Sequence, residues 1–160
     1  WRSQQDARWI AFVNPPLTPC TERLMQEGIE TSKVDIINVT ADQFAWCLEQ
    51  LALAESTRSV IAWETETLTS TQLRRLQLAC QRGKTQLFLI RQPTHRHQAS
   101  PAPVRASINR STTGFEITIF KQPGTNTKSP VLVPFESSWI QKPNPARRRT
   151  CVIQDSSRLH

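Results

Sequence analysis

The chain has 160 residues and a formal net charge of +7, which is long enough for one domain with a buried core. It contains no apolar run near the roughly 20 residues of a membrane span and no signal-peptide pattern, so we expect a soluble, cytoplasmic protein. Of the net charge, +3 lies in the 25 residues from Glu136 onward. A basic tail could contact DNA weakly by neutralising phosphates, and a solvated surface with a cationic tail is an equal alternative.

Strands and helices alternate over the first ninety residues of the sequence. Continuous apolar residues predict strands at 9–13, 34–39, 58–63 and 86–90. Helices are predicted from Pro19 to Gly28, over 44–53 after the capping box Thr40-x-x-Gln43, and from the capping box Thr69-x-x-Gln72 to Gly83. With such short connections, this order predicts an α/β fold with a mainly parallel sheet flanked by helices.

The strand over residues 58–63 is the first place to look for a site. Its run Val60-Ile61-Ala62 is free of polar residues, which indicates a strand covered on both faces. Ligands of parallel sheets bind where the strands end, so Trp63 and Glu64 are the first functional candidates.

The pattern changes after Pro93. Residues 92–103 hold three prolines together with His95 and His97, and they are predicted to form a loop. Alternating residues at 104–109 and 115–121, joined by a turn with Gly114, predict a hairpin that extends the sheet antiparallel, followed by an edge strand at 131–135. We therefore expect one domain over residues 1–135 and a basic, disordered tail over 136–160.

Three kinds of candidate chemistry can be weighed from the residues. Gly83-Lys84-Thr85 is like the end of a phosphate-binding loop, but Leu78 stands where a glycine is required and the strand follows instead of preceding, so Gly83 is predicted to cap a helix. Glu64 could hold magnesium or be a solvated acid at a strand end. The histidines are predicted to lie in surface loops, the four cysteines to be reduced, and no metal site is predicted.

Partner binding is the remaining candidate activity. Arg74, Arg75, Arg82 and Lys84 lie on and just after one helix, where they could meet an acidic partner or form a solvated face. Trp46 and Trp63 could be core residues or partner anchors, and we expect Trp63 to be the stronger interface candidate because it lies at the mouth of the sheet.

Several stretches of the sequence resemble known proteins. They are Arg8-Trp9-Ile10-Ala11-Phe12-Val13-Asn14-Pro15-Pro16, Leu48-Glu49-Gln50, Val60-Ile61-Ala62-Trp63, Leu73-Arg74-Arg75-Leu76-Gln77-Leu78-Ala79 and Ser100-Pro101-Ala102-Pro103. With them the chain resembles the core of RecA-type ATPases and, more closely, two RecA-related groups of the bacterial SOS response. One is the ImuA group, accessories of mutagenic translesion synthesis, over about residues 8–135. The other is the SulA group of cell division inhibitors, over about residues 8–91, marked by Ile61-x-Trp63, Leu68-Thr69 and Gly83.

The resemblance implies a RecA-like fold and also shows where this chain departs from an ATPase. The acid that activates water in RecA-like enzymes would follow the first strand, where this chain has Asn14-Pro15-Pro16. Glu64 falls at the position of the magnesium-associated acid and is at most a vestige of a nucleotide site. Because the chain begins at Trp1, a phosphate loop could precede it in a longer protein. We expect no catalysis and no cofactor; an active ATPase is the third hypothesis.

Two partner hypotheses follow from the resemblance. The first is an ImuA-like accessory that joins an ImuB-like polymerase partner and an error-prone DNA polymerase; it is preferred because the hairpin with Gly114 matches that group. The alternative is a SulA-like inhibitor that binds FtsZ, against which Glu49 counts because the corresponding helix of division inhibitors tends to be basic. The predicted partner-binding residues are Trp63, Leu68, Arg74, Arg75, Arg82 and Lys84.

Overall fold

A computed structural model describes residues 8–124 and 130–135 of the chain. The chain divides into two compact units, with the boundary between Pro103 and Val104. The first unit contains β1 (Trp9–Val13), α1 (Thr21–Gln26), β2 (Val34–Ile37), α2 (Ala41–Leu53), β3 (Thr57–Trp63), α3 (Ser70–Gly83) and β4 (Gln86–Ile90), with short 3-10 helices at Thr31–Lys33 and Pro93–His97. The second unit contains β5 (Arg105–Arg110), β6 (Gly114–Lys121) and β7 (Val131–Pro134).

The first unit is built on a four-stranded parallel sheet with the strand order β2-β1-β3-β4. The predicted α/β class and the predicted parallel sheet flanked by helices are confirmed. From β1 the chain moves to β2 at one edge of the sheet. It then passes back over β1 to form β3 and β4 on the other side, so the direction in which strands are added to the sheet reverses after β2. The carboxyl ends of β1 and β3 therefore form the switch point of the sheet.

The core lies between one face of this sheet and the helices α2 and α3. Ala11, Val13, Val60 and Ala62 belong to the same buried cluster as residues from both helices, including the fully buried Phe44 and Leu48 of α2 and Leu73 and Leu76 of α3. Each large side chain buried in this way stabilises the fold by about 1.5–3 kcal/mol. The helical spacing of the apolar positions therefore predicts the buried side of α2 and of α3 correctly.

Helix starts follow the sequence signals in part. At α3 the predicted capping box is confirmed: the Thr69 side chain accepts from the Gln72 backbone at 3.2 Å, and the Gln72 side chain accepts from the Thr69 backbone at 2.8 Å. The box predicted at the start of α2 is wrong. Thr40 is the N-cap residue, but its side chain makes no capping hydrogen bond, and the Gln43 N–H donates to the Thr40 carbonyl at 3.2 Å instead.

The hairpin after Pro103 forms a sheet of its own. β5 and β6 pair antiparallel, and β7 pairs with the other side of β6, so the second sheet has the order β5-β6-β7. The predicted C-terminal antiparallel hairpin is confirmed, but it does not extend the parallel sheet as expected, because among the described residues none of its strands pairs with β1, β2, β3 or β4. The division into a domain over 1–135 and a tail stays a prediction, and residues 136–160 lie outside the described residues.

Among the described residues, no helix has the length and apolar character needed to cross a membrane. The segment after β4, predicted as a loop, contains the 3-10 helix Pro93–His97. The first helix is also shorter than expected, since α1 covers only Thr21–Gln26.

Gly83 has a packing role that the sequence pattern did not indicate. It is the last residue of α3, and the cap position with left-handed backbone is Lys84, at a φ of 52°. A Cβ at position 83 would collide with the backbone carbonyl oxygen of Ala52, near the end of α2. Glycine is required here because the ends of α2 and α3 approach closely, rather than for its conformational freedom.

We predict that Gly83→Ala lowers the free energy of unfolding by about 1–3 kcal/mol, because the added methyl group must push the end of α2 away. Urea unfolding followed by circular dichroism measures this. The control is Lys84→Gly. Lys84 has a left-handed backbone conformation that glycine adopts without strain, so this substitution should leave the free energy of unfolding unchanged or raise it by up to about 1 kcal/mol. An unchanged stability in Gly83→Ala would show that the helices do not need this close approach.

Candidate functional site

Two polar residues lie at the switch point, one after β1 and one after β3. Asn14 follows β1 with a left-handed φ of 50°. Its side chain donates to the Val39 carbonyl at 3.1 Å and accepts from the Val39 N–H at 2.8 Å, and its amide nitrogen lies 3.5 Å from the Thr65 hydroxyl. Both ends of the Asn14 amide are therefore engaged in joining the segments that follow β1, β2 and β3.

Glu64, which follows β3, is held by the side chains of Arg91 and His95. The Arg91 guanidinium contacts both carboxylate oxygens, with Nε 2.9 Å from each and Nη2 2.7 Å from Oε1. His95 Nδ1 lies 2.8 Å from Oε2, and the Leu68 N–H donates to Oε1 at 3.2 Å. The Glu64 side chain is only 1% exposed. We call Glu64, Arg91 and His95 the ion cluster.

The ion cluster corrects two predictions. Glu64 is not a solvated acid: burial alone would raise its pKa, but the hydrogen bonds from Arg91, the Leu68 backbone and His95 outweigh burial, so the pKa of Glu64 is lowered. His95 is not a plain surface residue, since its Nε2 also lies 3.2 Å from the Thr67 hydroxyl. The partners come 27 and 31 residues after Glu64, so local spacing could not reveal them.

Gln98 extends the same network along the segment after β4. It accepts from Arg91 at 2.6 Å and donates to the Leu68 carbonyl at 3.0 Å. These hydrogen bonds hold the segment that follows β4 against the carboxyl ends of β3 and β4. Each oxygen of the Glu64 carboxylate already faces a cationic or ring nitrogen, so a magnesium ion would have to displace Arg91 and His95 to bind it.

The face of the parallel sheet turned away from α2 and α3 is apolar. Successive side chains of a strand point to opposite faces, so Phe12, Ile61 and Phe88 lie opposite the core residues of their strands. The strand register aligns Ile36, Phe12, Ile61 and Phe88 in one row across the sheet, and pairs Trp63 with Ile90 beside it. We call these six residues, Phe12, Ile36, Ile61, Trp63, Phe88 and Ile90, the open face.

The open face is only half covered. Ile36, Phe88 and Ile90 are 43%, 49% and 43% exposed. Trp63 is of intermediate burial and stacks on Phe12, with ring centroids 6.3 Å apart. The strand runs predicted a sheet covered on both faces; among the described residues, the second face still exposes large apolar side chains.

The predicted partner-binding residues do not form one surface. Leu68 is 3% exposed and belongs to the core cluster, because a leucine just before a helix packs under that helix as a staple. Its assignment as a partner-contact residue stays a prediction. Trp63 lies on the open face. Arg74, Arg75, Arg82 and Lys84 belong to α3 and its cap, on the opposite side of the sheet.

A groove between α2 and α3 is the surface that the arginines help to form. Arg75 pairs with Glu49 of α2 at 2.6 Å, across two adjoining cavities of about 200 and about 230 Å³. Trp46 lines the first cavity and is 64% exposed. From the sequence we expect Trp46 to be a weaker interface candidate than Trp63. The position of Trp46 beside the apolar stripe of α2 is nevertheless a signal in the sequence that its side chain points outward.

The other sequence motifs have structural roles. The Thr85 hydroxyl is buried and donates to the Thr57 carbonyl at 3.1 Å, an internal contact rather than one to a phosphate. Cys20, Cys47 and Cys80 are free thiols, and burial raises the pKa of Cys47 and Cys80. Within residues 8–124 and 130–135, no group of acidic, histidine and cysteine side chains could hold a metal ion.

Comparisons with known proteins find similarity among solved structures. No protein-family model matches the chain, and no curated protein matches it. Among solved structures, the chain is similar to SulA from Pseudomonas aeruginosa, at 24% identity over 55% of this chain and 74% of that chain, with a TM-score of 0.46.

We predict that Glu64→Gln lowers the free energy of unfolding near neutral pH by about 3 kcal/mol, because it leaves the buried Arg91 without its counter-charge. The pKa of Glu64 is lowered below its ordinary value of 4.5, so its contribution is present above that value and is lost as the pH falls through the lowered one. The difference between wild type and variant should therefore shrink in acid.

Glu66→Gln is the matched control for this prediction, because Glu66 is an exposed acid two residues further along the chain. It should change stability by less than about 0.5 kcal/mol. Chemical denaturation at several pH values tests both variants. An equal, small effect of both substitutions would mean that the ion cluster does not stabilise the fold.

Proposed function

We propose that this chain is a non-catalytic, RecA-like protein of the bacterial SOS response that acts by protein binding, and that its partner is the division protein FtsZ. The open face carries this proposal. By binding FtsZ there, the chain would block its polymerisation and so inhibit cell division. The residues assigned to the interface are Phe12, Ile36, Ile61, Trp63, Phe88 and Ile90.

The open face supports a binding role for a physical reason. Parallel sheets are stable when both faces are covered, and α2 and α3 cover only one. Right-handed connections would carry α1 to the other face, but α1 has six residues and none of them is buried. A row of exposed apolar side chains with an aromatic pair is typical of a protein interface.

The choice of FtsZ over a polymerase partner rests on two features of the structure. The preference for an ImuA-like accessory depends on the match of the hairpin with Gly114 to that group, and this hairpin lies in a separate sheet instead of extending the parallel sheet as predicted. The acidic Glu49 counts against a division inhibitor, but it is paired with Arg75 at 2.6 Å, so its charge is offset on the same surface. The hairpin and the charge of Glu49 are the two arguments for the ImuA-like hypothesis. With both weakened, the SulA-like hypothesis needs fewer assumptions than the ImuA-like one.

The absence of catalysis is part of the same proposal. Both ends of the Asn14 amide are engaged in hydrogen bonds, and both Glu64 oxygens are held by Arg91 and His95. Neither residue is therefore arranged to orient a water molecule or hold magnesium at the switch point. An ATPase would need at least one of these roles, each of which carries a large part of the rate.

We predict that expression of the chain in a rod-shaped bacterial host produces filamentous cells, and that Phe88→Glu abolishes filamentation. A carboxylate at the β4 end of the apolar row would have to be buried without a partner on FtsZ binding, which costs several kcal/mol. Cell length under the microscope is the measurement.

Leu17→Glu is the control for this experiment, because Leu17 is 83% exposed and lies outside both sheets. It should leave filamentation intact at equal expression. Normal division with an altered frequency of damage-induced mutation would contradict the proposal and favour the accessory of translesion synthesis with an ImuB-like partner.

A further inference from the structure

The net charge of the chain is concentrated in the second unit. From Val104 onward the sequence has nine basic and three acidic residues, so this unit carries +6 of the net charge of +7. Among its described residues, Arg105, Arg110 and Lys121 are basic and Glu116 is the one acid. The charge of this unit therefore favours an anionic partner.

The three-stranded sheet of this unit has one apolar face. Successive side chains of a strand point to opposite faces, and the register places Ile108, Ile117 and Val131 in one row across β5, β6 and β7. Glu116, which comes directly before Ile117, points to the opposite face. The neighbouring positions on the apolar side are also hydrophobic, and we call six of these residues the hairpin face: Ile108, Phe115, Ile117, Ile119, Val131 and Val133.

The most exposed part of the hairpin face is aliphatic. Ile108 and Val131, at the two ends of the central row, are 65% and 54% exposed, and Ile117 between them is of intermediate burial. The aromatic ring of Phe115 is in edge-to-face contact with the ring of Phe135, with centroids 5.2 Å apart. The exposed centre therefore offers methyl and methylene groups rather than open aromatic rings on which nucleic acid bases could stack.

Basic side chains lie at both ends of the hairpin face. At one end, Arg110 is the register partner of Phe115, and its guanidinium carbon lies 5.7 Å from the centroid of the Phe135 ring. At the other end, Arg105 and Lys121 are register partners of each other. Within the part of this unit that the structure describes, the hairpin face thus combines an aliphatic centre with basic ends and carries no acid.

We propose that the hairpin face binds the surface of a lipid membrane with anionic head groups. Proteins lie on such a surface when exposed apolar side chains reach the boundary of the acyl chains and basic side chains beside them contact the head groups. The long stems of arginine and lysine allow both contacts at once. A nucleic acid fits less well, because it would place phosphates against the aliphatic centre. Binding at a surface requires no membrane-spanning helix, and it does not depend on the proposed binding of FtsZ.

Co-sedimentation of the purified full chain with lipid vesicles tests the proposal. We expect binding to vesicles made of phosphatidylcholine and phosphatidylglycerol, and at least about tenfold weaker binding to vesicles of phosphatidylcholine alone. Ile108→Glu should weaken binding to the anionic vesicles by more than about tenfold, because its carboxylate would have to enter the apolar boundary. Arg110→Glu should weaken it by more than about fivefold, because a contact with the head groups becomes a repulsion.

Leu17→Glu and Arg74→Glu are the matched controls, because they make the same two changes of charge at exposed residues of the first unit. Both should bind the anionic vesicles like the wild type, and circular dichroism establishes that every variant is folded. Absence of wild-type binding to the anionic vesicles overturns the proposal.

Three further results would also overturn it. They are equally tight binding to both kinds of vesicle, equal binding by a hairpin-face variant and its control, and binding of a labelled single-stranded oligonucleotide in preference to the anionic vesicles. Because FtsZ is not present in this experiment, its failure leaves the proposed binding at the open face to its own test.

Discussion

The structure depends on the requirement that a parallel sheet be covered on both of its faces. The strands meet this requirement in sequence: apolar residues occupy consecutive positions, so both faces of β1, β3 and β4 are apolar. α2 and α3 cover the first face with fully buried side chains such as Phe44 and Leu48. The second face keeps Ile36, Phe88 and Ile90 partly exposed, and this difference between the faces supports a binding role.

The carboxyl edge of the sheet, where α/β proteins place their ligands, has a structural role in this chain. Glu64 is buried under Arg91 and His95, and the same network fixes the segment that leaves β4. A cluster that holds an acid in this way stabilises the edge and occupies the acid's oxygens. The open face, rather than the switch point, is therefore where we propose that this chain meets its partner.

Sequence reasoning is successful where local spacing determines the structure. Apolar runs and helical spacing predict β1, β3, β4, α2 and α3, and the capping box at Thr69 predicts where α3 starts. It is unsuccessful where the structure depends on residues far apart in the chain. The partners of Glu64, the pairing of β6 with β7 and the collision that keeps position 83 a glycine all depend on such contacts. The predicted partner-binding residues stay a prediction, but helix and strand positions in the sequence do not reveal which side of a sheet they face: Trp63 and the arginines of α3 lie on opposite sides.

The affinity of the purified chain for FtsZ, measured by titration calorimetry, tests the central claim most directly. Wild-type chain and Leu17→Glu should bind with the same affinity, while Phe88→Glu should bind at least about 100-fold more weakly, since a cost of several kcal/mol corresponds to two or more powers of ten. Absence of binding by the wild type, or equal binding by Phe88→Glu, would contradict the assignment of the open face as the FtsZ-binding surface.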